Sequence, residues 1–231
     1  MRKMKIIRLS LLLLILLGWA AQAHTEGLPV KDLPHAGKSL VDFLPTGWRV
    51  EDEANGDLNG DGVSDIAAIL VQGEPVSAED EPQRALIVLL GRDKEGFALA
   101  GTNNKLLECK GCCGVKEGVG ISIKKGIIVV DQMSGSREFS NETWRFRYDP
   151  QTQRFVWIGR DIDAGDGMRG TGTIESFNFL TGWKITETYH YDKNGERKIV
   201  TSTKKEKAPQ KTPFIEDVES NWTDSQGAEG R

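Results

Sequence analysis

Positions 56–70 read GDLNGDGVSDIAAIL. Oxygen-bearing side chains recur at every second position, Asp57, Asn59 and Asp61, and Asp65 closes the series. This is chemistry for a hard cation. Ca²⁺ takes roughly six to eight oxygen ligands at about 2.3–2.6 Å, and side chains two residues apart converge on one point if the backbone curls. Gly60 and Gly62 permit the curl, because glycine enters the left-handed region without a Cβ penalty. Val63 has only a carbonyl to offer. The expected ligand set is therefore Asp57, Asn59, Asp61, Val63 and Asp65. A helical calcium loop would end on a bidentate Glu at its twelfth position; Ala68 stands there instead, within a strand-like run. The loop thus leads into a β-strand. The alternative is an Asn/Asp/Gly turn that holds no metal.

A second cluster is CKGCC, with Cys109, Cys112 and Cys113, all the cysteines of the chain. A disulfide from Cys109 to Cys112 or Cys113 would pin the loop they occupy. A zinc site is the weaker reading, because no His lies nearby in sequence to complete it. DAGDGMRGTG at 163–172 contains Gly165, Gly167 and Gly170 in G-x-G-x-x-G spacing, but dinucleotide binding needs a helix after it. Strand-like residues follow, so a β-turn is expected. Neither G-x-S-x-G nor H-E-x-x-H is present. Trp144, Trp157 and Trp183, with Tyr148, Tyr189 and Tyr191, are candidates for a sugar- or peptide-binding face or for a β core.

The elements that position these groups are short strands. DIAAILVQ (65–72), RALIVLL (84–90), the run 97–102, GISIKK, GIIVVDQM, ETWRFRYD, QRFVWIGRD, TIESFNFL, WKITETYHY and RKIVTST are separated by turn residues. TWRFRY alternates with the period of a half-buried strand, and Asn194-Gly195 is a hairpin signal. No segment has a long 3.6-residue apolar period. The chain is expected to be an all-β, antiparallel meander of about ten short strands. It falls into three strand groups, forming open propeller-blade-like sheets or a two-layer sandwich.

Expected organisation is a signal peptide at 1–23, a linker or arm at 24–40, the β domain at 41–205 and a mostly disordered tail at 206–231, in which Phe214 and Ile215 have apolar area to bury. The leader has a basic segment (Arg2, Lys3, Lys5, Arg8), an apolar run and Ala21-Gln22-Ala23 as a cleavage site. The apolar run is shorter than the roughly 20 residues of a spanning helix. No membrane span is expected once the leader is removed, and the location is periplasmic or secreted. Cleavage takes the net charge from −4 to −8, since the leader holds four basic residues and no acid. That balance argues against nucleic acid.

GDLNGDGVSDIAAIL, with RALIVLLGRDKEGFALA downstream, resembles one FG-GAP (VCBS-type) blade, the calcium-loop unit of integrin-like β-propellers. The resemblance implies calcium at Asp57, Asn59, Asp61, Val63 and Asp65. The wider pattern of a leader, one such loop, C-x-x-C-C-G, GISIKKGIIVV and NFLTGWKI is similar to exported bacterial proteins of unestablished activity. The functional expectation is a calcium-binding β-domain of the cell envelope that binds a polysaccharide or a protein partner. The alternative is a secreted hydrolase whose carboxylates assemble only in the fold.

Thiol counting under non-reducing denaturation is expected to find one free thiol per chain, because a disulfide consumes two of the three cysteines. Three would exclude the disulfide.

Overall fold

A computed structural model of the protein describes residues 27–73, 81–112, 114, 118–196, 198–208 and 213–220. The signal peptide expected at 1–23, Cys113 and the tail beyond 220 lie outside these residues. Among the described residues the strands are β1 (Ala36–Gly37), β2 (Trp48–Gly56), β3 (Asp65–Gln72), β4 (Arg84–Gly91), β5 (Phe97–Asn103), β6 (Gly118–Lys124), β7 (Ile127–Gly135), β8 (Glu138–Asp149), β9 (Arg154–Asp166), β10 (Thr171–Asn178), β11 (Trp183–Tyr191) and β12 (Lys198–Lys207). They form two antiparallel sheets. The first runs β1-β5-β4-β3-β2, and the second runs from β12 to β6 in chain order. The fold is all-β, as the turn spacing requires, and the sheets pack as a sandwich. The second and third strand groups of the sequence are one continuous sheet.

The reason is visible in β3 and β4. DIAAILVQ and RALIVLL are apolar at nearly every position, which a strand tolerates only when both its faces are covered. Ala67, Ile69, Leu86 and Val88 face the second sheet. There they share a core with Ile121, Ile128, Val130, Trp144, Phe146, Phe155 and Trp157. The alternate residues Ile66, Ala68, Leu70, Ala85, Ile87 and Leu89 pack on Leu28, Leu33, Leu40 and Phe43. Each large apolar side chain so buried contributes about 1.5–3 kcal/mol. The segment expected as a linker or arm docks, from Leu28 on, as a third layer. Its leucines are sparse and set among turn residues, but the outer face of the first sheet gives them a place to bury. β1 within it pairs with β5.

β2 is absent from the sequence-based reading. WRVEDEANG carries too many acids to read as a strand, yet its acids are partnered. Glu51 sits at a register shift between β2 and β3, and Arg84 grips it through Nε (2.6 Å) and Nη2 (3.1 Å). Asp52 accepts the amide of Ile121 at 2.9 Å, tying the edge of the first sheet to the second.

Residues 213–220 form a strap across the sandwich. Ile215 and Val218 are fully buried, and Phe214 bridges to Val156. Asn103, at the end of β5, holds the strap. Its Nδ2 donates to the carbonyls of Ile215 (2.5 Å) and Val218 (2.7 Å). Its Oδ1 accepts the amides of Lys105 and Leu106, both at 2.6 Å.

Asn103→Ala strands two buried carbonyls and two amides. It is expected to cost roughly 2–4 kcal/mol in denaturant unfolding and to expose the strap to protease. A change within about 0.5 kcal/mol, the size of an ordinary surface substitution, would contradict this role for Asn103.

Candidate metal centre

The loop 57–64 joins β2 to β3, and Gly56 pairs with Asp65 at its neck. Short local hydrogen bonds curl it. Asp57 accepts the amide of Gly60 on Oδ1 (2.7 Å) and that of Gly62 on Oδ2 (3.0 Å). Asn59 Oδ1 accepts Asp61 N at 3.0 Å, and Asn59 Nδ2 donates to Asp61 Oδ2 at 2.8 Å. Asp61 Oδ1 accepts Val63 N at 2.7 Å. Gly60 and Gly62 have φ of +83° and +81°. No atom lies within 4 Å of a Cβ built on either, so backbone conformation rather than space demands glycine there. Leu58, buried in the core between the sheets, anchors the loop.

Asp65 stands at the base. It is fully buried, and its carboxylate accepts Leu58 N on Oδ2 (2.7 Å) and Gly91 N on Oδ1 (2.8 Å). One side chain thus joins the loop, the start of β3 and the end of β4. Burial pushes its carboxyl above the usual range, the two amides pull it back, and the charges of Asp61 and Asp57 push it up again. Asp61, exposed, is lowered by the Val63 amide and by Asn59. Among the described residues no Lys or Arg forms an ion pair with Asp57, Asp61 or Asp65.

The expected ligands therefore occupy one loop. Asp57, Asn59 and Asp61 are organised by its curl, Val63 follows them, and Asp65 sits beneath, bonded to amides. Among the described residues no three His, Cys, Asp or Glu side chains converge into a ready-made metal cluster. The donor set of the loop is mixed, an amide oxygen and a carbonyl beside carboxylates, which is the oxygen chemistry Ca²⁺ takes. Each carboxylate has about four lone-pair positions, so two amide bonds leave room for a cation. The residues fit Ca²⁺.

Cys109 is bonded to Cys112, with their Cα atoms 5.6 Å apart. Arg84 fixes this loop as well, donating through Nη1 to the carbonyls of Glu108 and Cys109, each at 3.3 Å. Burial disfavours the Glu51 carboxylate, but the hydrogen bond and charge of Arg84 outweigh that and lower its pKa. The glycine-rich stretch at 165–170 is the end of β9 and the turn into β10. Its Asp166 is held at about 2, first by the hydrogen bond from Arg137.

Of the aromatic candidates, Trp144 and Trp157 are fully buried between the sheets. Trp183 lies on the outer face of the second sheet, where Lys205 Nζ and Lys207 Nζ stand 4.2 and 3.9 Å from its ring centroid. Three half-buried carboxylates of the second sheet are ion-paired: Glu142 with Arg160, Asp163 with Lys198 (3.2 Å) and Glu175 with Lys184 (2.9 Å). Among the described residues no helix is long and apolar enough to cross a membrane.

No protein family, curated protein or solved structure matches the chain.

The raised Asp65 carboxyl has a definite sign. The folded chain holds this proton more tightly than the unfolded chain. Its contribution to stability is therefore present at acid pH and lost as pH rises through the carboxylate range. In chelator, wild type is expected to lose stability relative to Asp65→Asn over that rise. A difference that does not change with pH would contradict the burial argument.

Proposed function

We propose that the loop at 57–65 binds Ca²⁺ and that the chain is an exported, calcium-stabilised β-domain acting as a binding module of the cell envelope. The observation that carries the reading is the buried Asp65 beneath Asp57, Asn59 and Asp61, an acidic loop with no cationic side chain paired to it among the described residues. Asp57, Asn59 and Asp61 would hold the ion through side-chain oxygens, Val63 through its carbonyl, and Asp65 from below. Bound Ca²⁺ supplies the positive charge that offsets the mutual repulsion of the three aspartates. The chain's own part is to hold the curl: Gly60 and Gly62 set the backbone, Leu58 fixes the loop to the core, and Gly91 orients Asp65.

The resemblance of 56–70 to an FG-GAP loop supports the same ligand set, and the apolar leader supports a periplasmic or secreted location. The binding role is supported by the aromatic and basic surface around Trp183. A polysaccharide or a protein partner is the proposed ligand class.

The test is a calcium titration of the melting temperature, wild type beside Asp61→Ala. An ion at about one hundred times its dissociation constant stabilises by about 2.7 kcal/mol, and each kcal/mol moves Tm by about 2–4 °C at this chain length. The wild type is expected to rise by several degrees, with Asp61→Ala unresponsive. A wild type that does not respond, or responds equally to Mg²⁺, would end the calcium reading.

A further inference from the structure

The face of the second sheet turned away from the first carries a hollow of about 480 Å³, inside the roughly 300–1,000 Å³ of small-molecule sites. Strand register explains it. Arg145, Gly159, Asn178, Trp183 and Lys207 are direct cross-strand partners from β8 to β12. In the neighbouring row of the same face, Asp161, Ser176, Ile185 and Lys205 are partners in turn. Alternation puts both rows opposite Trp144 and Phe177, which are in the core. Gly159 has no side chain and Ser176 a small one, so the sheet is bare between Arg145 and Asn178. A Cβ at Gly159 would lie 2.9 Å from the carbonyl oxygen of Phe177, so the bare floor is required by the backbone itself.

The rim has a definite chemistry. Arg145 and Asp161 are ion-paired at 2.7 Å, each about one-third exposed (36% and 37%). A guanidinium has five N–H donors, so the pair orients the fork and leaves donors free to face solvent. Lys205 and Lys207 stand over Trp183 on the other side. Arg145, Lys205 and Asp161 line the hollow and Lys207 stands beside it on Trp183, on a chain whose net charge is −4. The surface is positive where the protein as a whole is negative.

We infer that this hollow binds an acidic sugar unit of a polysaccharide. Arg145 and the two lysines match its carboxylate, Trp183 and Ile185 match the apolar face of its ring, and Asp161, Ser176 and Asn178 match its hydroxyls. Asp161 inside the rim repels a dense polyphosphate, and the three cations give a neutral sugar no charge partner. The inference builds on the binding-module reading above and names its ligand class and site.

Isothermal titration calorimetry of the protein with short hyaluronan fragments, neutral chitin oligomers and phosphatidylglycerol vesicles tests it. The hyaluronan fragments are expected to bind, more weakly as salt is raised, and the chitin oligomers and vesicles are not. Trp183→Ala and Arg145→Gln are expected to weaken binding by roughly tenfold or more, as loss of an anchoring side chain does, and Ser176→Leu to block the hollow. Equal binding of the neutral oligomers, unchanged affinity in all three folded variants, or vesicle binding without sugar binding would overturn the inference. The calcium response of Tm is recorded on the same samples. Sugar binding absent with that response intact overturns this site alone; sugar binding present without it overturns the calcium reading alone.

Discussion

A single buried carboxylate organises the front of this molecule. Asp65 opens β3, the strand with both faces covered, and accepts amides from the loop before it (Leu58) and from the end of β4 (Gly91). A buried carboxylate is costly unless its charge is matched. Two amides match part of that charge, while Asp57 and Asp61 add to it. The geometry that positions the loop is thus the same geometry that leaves it short of positive charge. The divalent cation proposed for the loop would supply the missing charge, which is why the loop, the strand start and the proposed ion belong to one account.

Around that point the fold is set by coverage. β3 and β4 are too apolar for a sheet with one wet face, so the chain supplies material on both sides: the second sheet on one, the arm with Leu28, Leu33, Leu40 and Phe43 on the other. The strap at 213–220, held by Asn103, closes the seam between β5 and β9. The second sheet is broader than the first, seven strands against five. Its β10–β12 end is correspondingly less buried, and there the outer face presents Trp183 and its lysines. Burial is concentrated at one end of the sheet, and the proposed recognition surface lies at the other.

Much of this was legible in the sequence. Strand-period patterns, turn residues and the Asp/Asn/Gly spacing gave the all-β class, the β3 start and the loop. What was not legible depends on partners distant in the chain. β2 carries three acids in nine residues, and the groups that match two of them, Arg84 for Glu51 and the Ile121 amide for Asp52, are far away in the chain. The arm reads as polar, with two Pro and two Gly, and only the outer face of β3 and β4 gives its isolated leucines a site. The cysteine spacing left the partner of Cys109 open; the structure pairs it with Cys112. The six aromatic candidates could not be sorted into core and surface, because that depends on which face of a strand meets the first sheet. The hollow beside Trp183 comes from a cross-strand row centred on Gly159, and no linear pattern reports a row.

The central claim is that the oxygens of 57–65 hold one calcium ion. Equilibrium dialysis against radiocalcium in the presence of excess Mg²⁺ tests it most directly. The account predicts a single bound ion per wild-type chain and none in Asp57→Ala or Asp61→Ala that still fold. A wild-type chain that retains no calcium, or variants that retain it fully, would contradict it.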